Sequence, residues 1–236
     1  MKFRYSGINT YLECPKKFKQ IYVDNIVETQ ESIDLHFGTA MHSALQAHYE
    51  GNDPYDVFNM YWNSLLSKHL ESARFNWDQL REMAVDTFIP NFIRLHAKKL
   101  DIIKLEETIE MPFIGSHSLT GTFDVVAKVD GKLTLLDYKT SAREYPIGKI
   151  YKNPQLYIYA KLYESKYGTP IEQIMYKVFI KTEKRIQTVK LDLQKERLDR
   201  MISNVEVICR DIVRRVETNE WYSNPNCYCI NKECTG

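Results

Sequence analysis

The chain has 236 residues, 44% of them hydrophobic, with 32 Lys and Arg against 31 Asp and Glu. That size and apolar content suit a single domain spanning 1–236, and two full domains are not expected. No run of 18 apolar residues occurs, and the opening MKFRYSGINTYLECPKKFK lacks an apolar core and a small-residue cleavage site. A membrane span and a secretory signal are therefore excluded at this level, and the expected location is cytoplasmic, in a host cell if the gene is carried by a phage.

The first hundred residues read as helical, because apolar positions recur every three to four residues. Ser6 suits the N-cap of a helix carrying Ile8, Tyr11 and Leu12, which Pro15 restarts. Further helices are expected at Phe37 to Tyr49, after Pro54, and at Trp77 to Lys99 with a kink at Pro90. The pattern then changes. Ile102 to Phe113, Ser118 to Val129 and Lys132 to Thr140 alternate or carry β-branched residues, and Asp130-Gly131 is a two-residue hairpin turn between the last two. A helix from Asn153 to Tyr167, strands at Ile171 to Lys181 and Arg185 to Leu193, and a long helix from Gln194 to Asn219 follow. The expectation is an α/β fold: a helical region over 1–100, a central mixed β-sheet flanked by helices over 101–193, and a C-terminal helix with a cysteine-rich tail over 194–236.

The near-zero net charge hides an uneven distribution. From Lys139 to Lys190 there are eleven Lys or Arg against four Glu, a local net of +7, and the first twenty residues carry +4. Nucleic acid would favour such stretches, although solvated faces produce them too.

A two-residue turn at Asp130-Gly131 pairs Val129 with Lys132 and so sets Asp124 opposite Asp137 on one face. Directly opposed carboxylates repel unless a positive charge lies between them. Lys139 projects from the same face as Asp137, toward Thr122, because strand side chains repeat every second residue. Two oxygen ligands beside an ammonium suit Mg²⁺ or Mn²⁺ and phosphodiester hydrolysis. A solvated, charged sheet face is the alternative.

These residues resemble the PD-(D/E)XK nuclease superfamily, in particular its RecB-type branch, which includes the AddB nucleases and the CRISPR-associated adaptation nucleases. The resemblance rests on SGINTYLECPKKF (6–18), FGTAMHSAL (37–45), LTGTFDVV (119–126), LLDYKTS (135–141), QLYIYA (155–160) and the cysteine tail after Pro225. It implies a restriction-endonuclease-like core in which Asp124, Asp137, His42 and the carbonyl of Tyr138 bind the metal. It further implies that Lys139 is catalytic and that Gln155 and Tyr159, one turn apart on a helix, place the DNA strand or the attacking water. Glu110 resembles a recurrent acidic position, while Glu106 and Glu107 beside it also fit a solvated edge.

Cys14 with Cys227, Cys229 and Cys234 resembles the four-cysteine iron-sulfur staple of the AddB-like branch, of 4Fe-4S type, although C-x-C-x4-C departs from the family spacing. Zn²⁺ on the same thiolates, or free thiols, are the alternatives. Cys209, at helical spacing with Val205 and Ile212, reads as core.

The implied function is a Mg²⁺- or Mn²⁺-dependent deoxyribonuclease, an exonuclease acting on DNA ends or single strands in recombination, repair, or phage and mobile-element DNA processing. The alternative is a catalytically idle DNA- or partner-binding module. The chain lacks G-x-x-x-x-G-K-[ST], so unwinding would require a helicase partner. Lys149, Lys152 and Lys161, which flank Gln155 and Tyr159, are expected on DNA phosphates, with Tyr151 or Tyr157 available for stacking.

Overall fold

The computed structural model describes residues 1–26, 32–68, 70 and 74–224, so the expected tail ligands Cys227, Cys229 and Cys234 lie outside the described residues. A two-residue strand, β1 (Lys2–Phe3), leads into α1 (Tyr5–Glu13) and α2 (Pro15–Phe18). Arg4, not Ser6, occupies the N-cap, because the helix already includes Tyr5. Pro15 restarts the chain as expected, at the first position of α2.

Each helix of the next layer starts on a local signal. In α3 (Ile33–Tyr49), Ser32 accepts the Leu35 N–H at 3.3 Å. In α4 (Pro54–Ser64), Asp53 accepts from Tyr55 and Asp56 and Pro54 takes the first turn. In α5 (Trp77–Glu82), Asn76 and Gln79 form a reciprocal capping box. The single helix expected from Trp77 to Lys99 is instead segmented: a π-helical stretch, Met83–Phe88, separates α5 from α6 (Ile89–Leu95) just before Pro90. Proline cannot donate to the preceding turn, and a widened turn upstream accommodates that loss.

The sheet strands are β2 (Asp101–Ile114), β3 (His117–Val129) and β4 (Lys132–Ser141). The chain then passes through α7 (Ile147–Lys152) and α8 (Gln155–Tyr167) to β5 (Gln173–Ile180), β6 (Arg185–Asp192) and α9 (Lys195–Thr218). The expected Asn153 to Tyr167 helix is α8; α7 was not anticipated, because Gly148 and the exposed Ile147 blur its short apolar pattern. The strand order is β1-β3-β4-β5-β6, with β2 pairing β3 as well. β4 and β5 run parallel across the α7–α8 crossover, while β2–β3, β3–β4 and β5–β6 are antiparallel.

This mixed sheet carries helices on both faces. One hydrophobic cluster joins α1, α8 and α9 to Leu135, Tyr176 and Val178, and Cys209 lies buried in it as expected. The other joins α3 to α6, with Phe37, Phe58, Trp62 and Phe92, to Leu136, Tyr138 and Phe179. Truncating any one of these enclosed aromatics to Ala would cost about 3–5 kcal/mol. Among the described residues no helix is long and apolar enough to cross a membrane.

Candidate active site

The edge of β3 opposite β2 is shared by two partners. β4 pairs with Val125 through Val129, β1 pairs with Ser118 and Leu119, and at residues 120–124 between them the ladder has an opening in which no strand pairs on that edge among the described residues. Asp130 and Gly131 take φ of 50° and 80°, the positive values that a two-residue hairpin turn demands, and the register from Val129↔Lys132 to Val125↔Leu136 is the one expected. The ladder ends one step short of Asp124 and Asp137. Asp124 Oδ2 instead accepts the backbone N–H of Tyr138 at 2.7 Å, and the two strands part there.

A kink aims the acidic groups into this opening. β2 and β3 hold one register across Leu105↔Val125 and Glu107↔Phe123, which sets Glu106 opposite Asp124. Leu105 and Val125 pack on the α3–α6 side. Two residues further along each strand, Phe123 meets Tyr163 of α8 and Glu107 accepts from Tyr167 of α8 at 2.6 Å. Residues two apart on a regular strand share a face, so both strands turn over at this point, and Glu106 carries the strain with φ 44°.

The helices close in from both sides. Gly38 of α3 comes so near β4 that an added Cβ would lie 3.4 Å from the Thr140 hydroxyl. One turn on, the His42 Nε2 sits 2.8 Å from the Tyr138 carbonyl and its Nδ1 lies 3.4 Å from Asp124 Oδ2. From the other face, Gln155 Nε2 of α8 donates to Asp137 Oδ1 at 3.0 Å and to the Tyr159 hydroxyl at 3.2 Å. The Lys139 ammonium lies 2.8 Å from Asp137 Oδ2 and over the Tyr176 ring. Lys139 therefore does not face Thr122 as expected. Beyond Leu136, β4 pairs only with β5 among the described residues, and the Thr122 hydroxyl meets that of Thr108 at 2.7 Å.

Asp124 and Asp137 are only 8% and 2% exposed, so each needs its own donors. Burial opposes the charge on His42, but the hydrogen bond and charge of Asp124 outweigh it and lift the imidazole to about 9. Burial, reinforced by the charge of Asp124, raises the Glu106 carboxyl to about 7. Burial likewise pushes Asp137 upward against the pull of Lys139, and the attraction of Asp137 keeps Lys139 protonated despite its own burial. Lys139 is thus a fixed cation in this state rather than a proton acceptor.

Ligand atoms of His42, Glu106 and Asp124 lie within 4.8 Å of one another, close enough to share an ion. Of the residues expected at the metal, His42 and Asp124 converge here, the Tyr138 carbonyl is held by the His42 Nε2, and Asp137 is engaged by Lys139 and Gln155. Glu106 was read only as part of a solvated edge. Glu110, preferred from the resemblance, is exposed and pairs with Lys2 at 2.7 Å rather than joining the acidic group of the site, and Glu107 pairs with Lys166 and Tyr167. The signal for Glu106 lay in the β2–β3 register, which the irregularities at Ile102/Lys104 and Pro112/Ile114 conceal from sequence.

Among the expected DNA contacts, Lys149 and Lys152 are exposed and Lys161 pairs with Glu164 at 3.1 Å. Tyr157 is wholly buried in the α8 core and cannot stack on a base, whereas Tyr151 is exposed with Arg197 over its ring.

A sheet split between two carboxylate-bearing strands, with a lysine two residues beyond the second, gathers the groups that metal-assisted phosphodiester hydrolysis can use. The chain belongs to the PD-(D/E)XK nuclease superfamily, whose family model matches residues 3–235. Among solved structures it is similar to a putative exonuclease from Eubacterium rectale, with 15% identity and a TM-score of 0.63 over 97% of this chain and 86% of that one. A protein designated SSO0001 matches at 14% identity and a TM-score of 0.52, over 98% of this chain and 84% of that one. At these identities the likeness is one of fold. No curated protein sequence matches the chain closely enough to count as a relative.

Proposed function

We propose that the chain is a divalent-metal-dependent deoxyribonuclease of the RecB-type branch, acting as an exonuclease on DNA ends or single strands in recombination, repair or mobile-element DNA processing. The observation that carries this reading is the His42, Glu106 and Asp124 ligand group lying beside the ion-paired Asp137 and Lys139. An imidazole, two carboxylates and a neighbouring carbonyl suit Mn²⁺ or Mg²⁺. Such an ion, when bound, polarises the phosphoryl oxygen and acidifies a ligated water. Asp137, on β4, would join the ligand set by releasing Gln155 or Lys139. Lys139, held protonated, offsets the negative charge that develops on the phosphate.

Gln155 supplies orientation. Its amide nitrogen is committed to Asp137 and Tyr159, while its Oε1 is buried without a hydrogen-bond partner and so remains open to accept a hydrogen bond from the attacking water and orient it. Lys149 and Lys152 supply phosphate contacts leading to the site, with Lys161 a weaker contributor because Glu164 already holds it. An idle module has no evident reason to bury Asp124 and Asp137 beside Lys139 at a desolvation cost. Incubating the protein with end-labelled single-stranded and duplex DNA tests the reading: fragments should shorten with Mn²⁺ and stay intact with a chelator. Intact DNA in both conditions would overturn it.

We also infer that Cys14 and the three tail cysteines hold a four-thiolate site, an iron-sulfur cluster with Zn²⁺ as the rival occupant. Cys14 is fully buried. The chain leading to the tail is tied beside it: Asn224 donates to the carbonyls of Leu12 and Glu13, the latter at 2.6 Å, and Lys16 N–H reaches the Tyr222 carbonyl at 3.1 Å. Cys227 follows Asn224 by three positions, a chain reach of at most about 10 Å.

A further inference from the structure

Four tyrosines from four separate elements crowd the Asp137 and Lys139 pair: Tyr5 of α1, Tyr145 ahead of α7, Tyr159 of α8 and Tyr176 of β5. The charge of Asp137 acts on all four. Tyr159 is spoken for by Gln155. Tyr176 is 1% exposed, and its hydroxyl is buried with no hydrogen-bond partner. A buried hydroxyl left unpaired is costly unless a ligand or water completes it, which marks this corner of the site as one built for an occupant.

The other two tyrosines reach the surface. Tyr145 lies in a connection, yet both of its backbone groups are clamped by one side chain: its N–H donates to Gln187 Oε1 at 2.8 Å, and its carbonyl accepts from Gln187 Nε2 at 3.0 Å. Its ring meets that of Tyr176 edge to face at 5.9 Å. The Lys149 ammonium sits 3.8 Å from the Tyr145 ring centroid and pairs with no carboxylate among the described residues. A preset aromatic capped by an unpaired lysine has the two parts that a nucleotide requires, a face for the base and a mobile cation for the phosphate.

We propose that Tyr145 and Lys149 form a subsite for one unpaired nucleotide beside the scissile phosphate, which makes single-stranded DNA or a frayed end the substrate. This rests on the nuclease reading and refines it. Lys149 swings from the ring to a phosphate as the base takes its place. A paired base within a duplex cannot reach Tyr145, because stacking there requires that the base leave its helix.

The test uses binding without catalysis. The full chain in chelator is titrated with oligodeoxynucleotides carrying 2-aminopurine at the penultimate base of a single strand or of a blunt duplex. Stacking on tyrosine quenches the fluorophore, so the parent should quench the single strand several-fold and leave the signal of the blunt duplex, already dimmed by stacking on neighbouring bases, unchanged. Tyr145→Leu should abolish the quench and weaken single-strand binding about ten-fold. Tyr145→Phe should preserve both, which separates stacking from any loss of fold. Lys149→Met should weaken binding while the quench at saturation persists. Equal quenching by Tyr145→Leu and the parent, or equal quenching of blunt duplex and single strand, would overturn the subsite while leaving the nuclease reading intact. Failure of the parent to bind any DNA would instead count against the nuclease reading itself.

Discussion

Glu106 shows how a single residue changes the account of the site. Its carboxyl stands at about 7, above the usual range, because it is buried beside the like charge of Asp124. Its contribution to stability is present below about pH 4.5 and is lost as the pH rises through 7. Without metal, Glu106→Gln should therefore be more stable than the parent at pH 8, on the order of 1 kcal/mol once solvent screening is allowed for, as read by thermal melting. With Mn²⁺ the order should reverse, since a ligand is gone, and metal affinity should fall about ten-fold or more. Equal stability at pH 8 and equal affinity would remove Glu106 from the site. His42, lifted to about 9 by Asp124, makes a related demand. An imidazole must be neutral to ligate, so metal binding at pH 7.5 should release about one proton per ion, measured by calorimetry in buffers of different ionisation enthalpy. No release would mean that the ion avoids His42. Asp124, Asp137 and Lys139 were legible in the sequence because a hairpin turn of two residues converts spacing into register. Glu106 was not, because its register depends on bulges in β2 that leave no mark in the residue pattern.

Among the elements, the fit of α8 onto β3 governs how well the site is set. An added Cβ on Gly121 would stand 2.6 Å from the Tyr159 ring and 3.2 Å from Leu162, closer than side chains pack. Gly121→Ala should push α8 outward, cost about 1–3 kcal/mol in thermal stability, and lower cleavage by disturbing the Gln155 and Tyr159 pair. An unchanged melting temperature and rate would show that α8 has slack. LTGTFDVV contains this glycine, but only the packed helix reveals what the missing side chain leaves room for. The long strands and α9 were readable from period alone. The Trp77 to Lys99 region was not, because its helical period persists through the π-helical stretch that divides it. The face reversal at Glu106 and Asp124 escaped for a similar reason: strict alternation was assumed along strands that turn over midway.

Over the whole molecule, α1 and α2 near the start of the chain meet α9 and the segment up to Asn224. Tyr11 of α1 bonds Asp211 of α9 and accepts from Arg215, Phe18 stacks on Trp221, and Asn224 reaches Leu12 and Glu13. A four-thiolate site on Cys14 and the tail would lock that junction and restrain the unfolded chain across most of its length. Anaerobically purified protein should then be brown, absorbing near about 400 nm, and Cys14→Ser should lose the colour and melt at a lower temperature. Colourless protein with stoichiometric zinc would assign the thiolates to Zn²⁺. The central claim concerns the other end of the sheet split, where Asp137 and Lys139 are held together. It is tested most directly by the Mn²⁺-dependent digestion rate of end-labelled single-stranded DNA, measured for the parent, Asp137→Ala and Lys139→Ala at matched folded fraction. The account predicts that each substitution lowers the rate by at least about a thousand-fold while the protein still melts cooperatively. A folded Asp137→Ala protein that cleaves at a rate close to the parent's would contradict it.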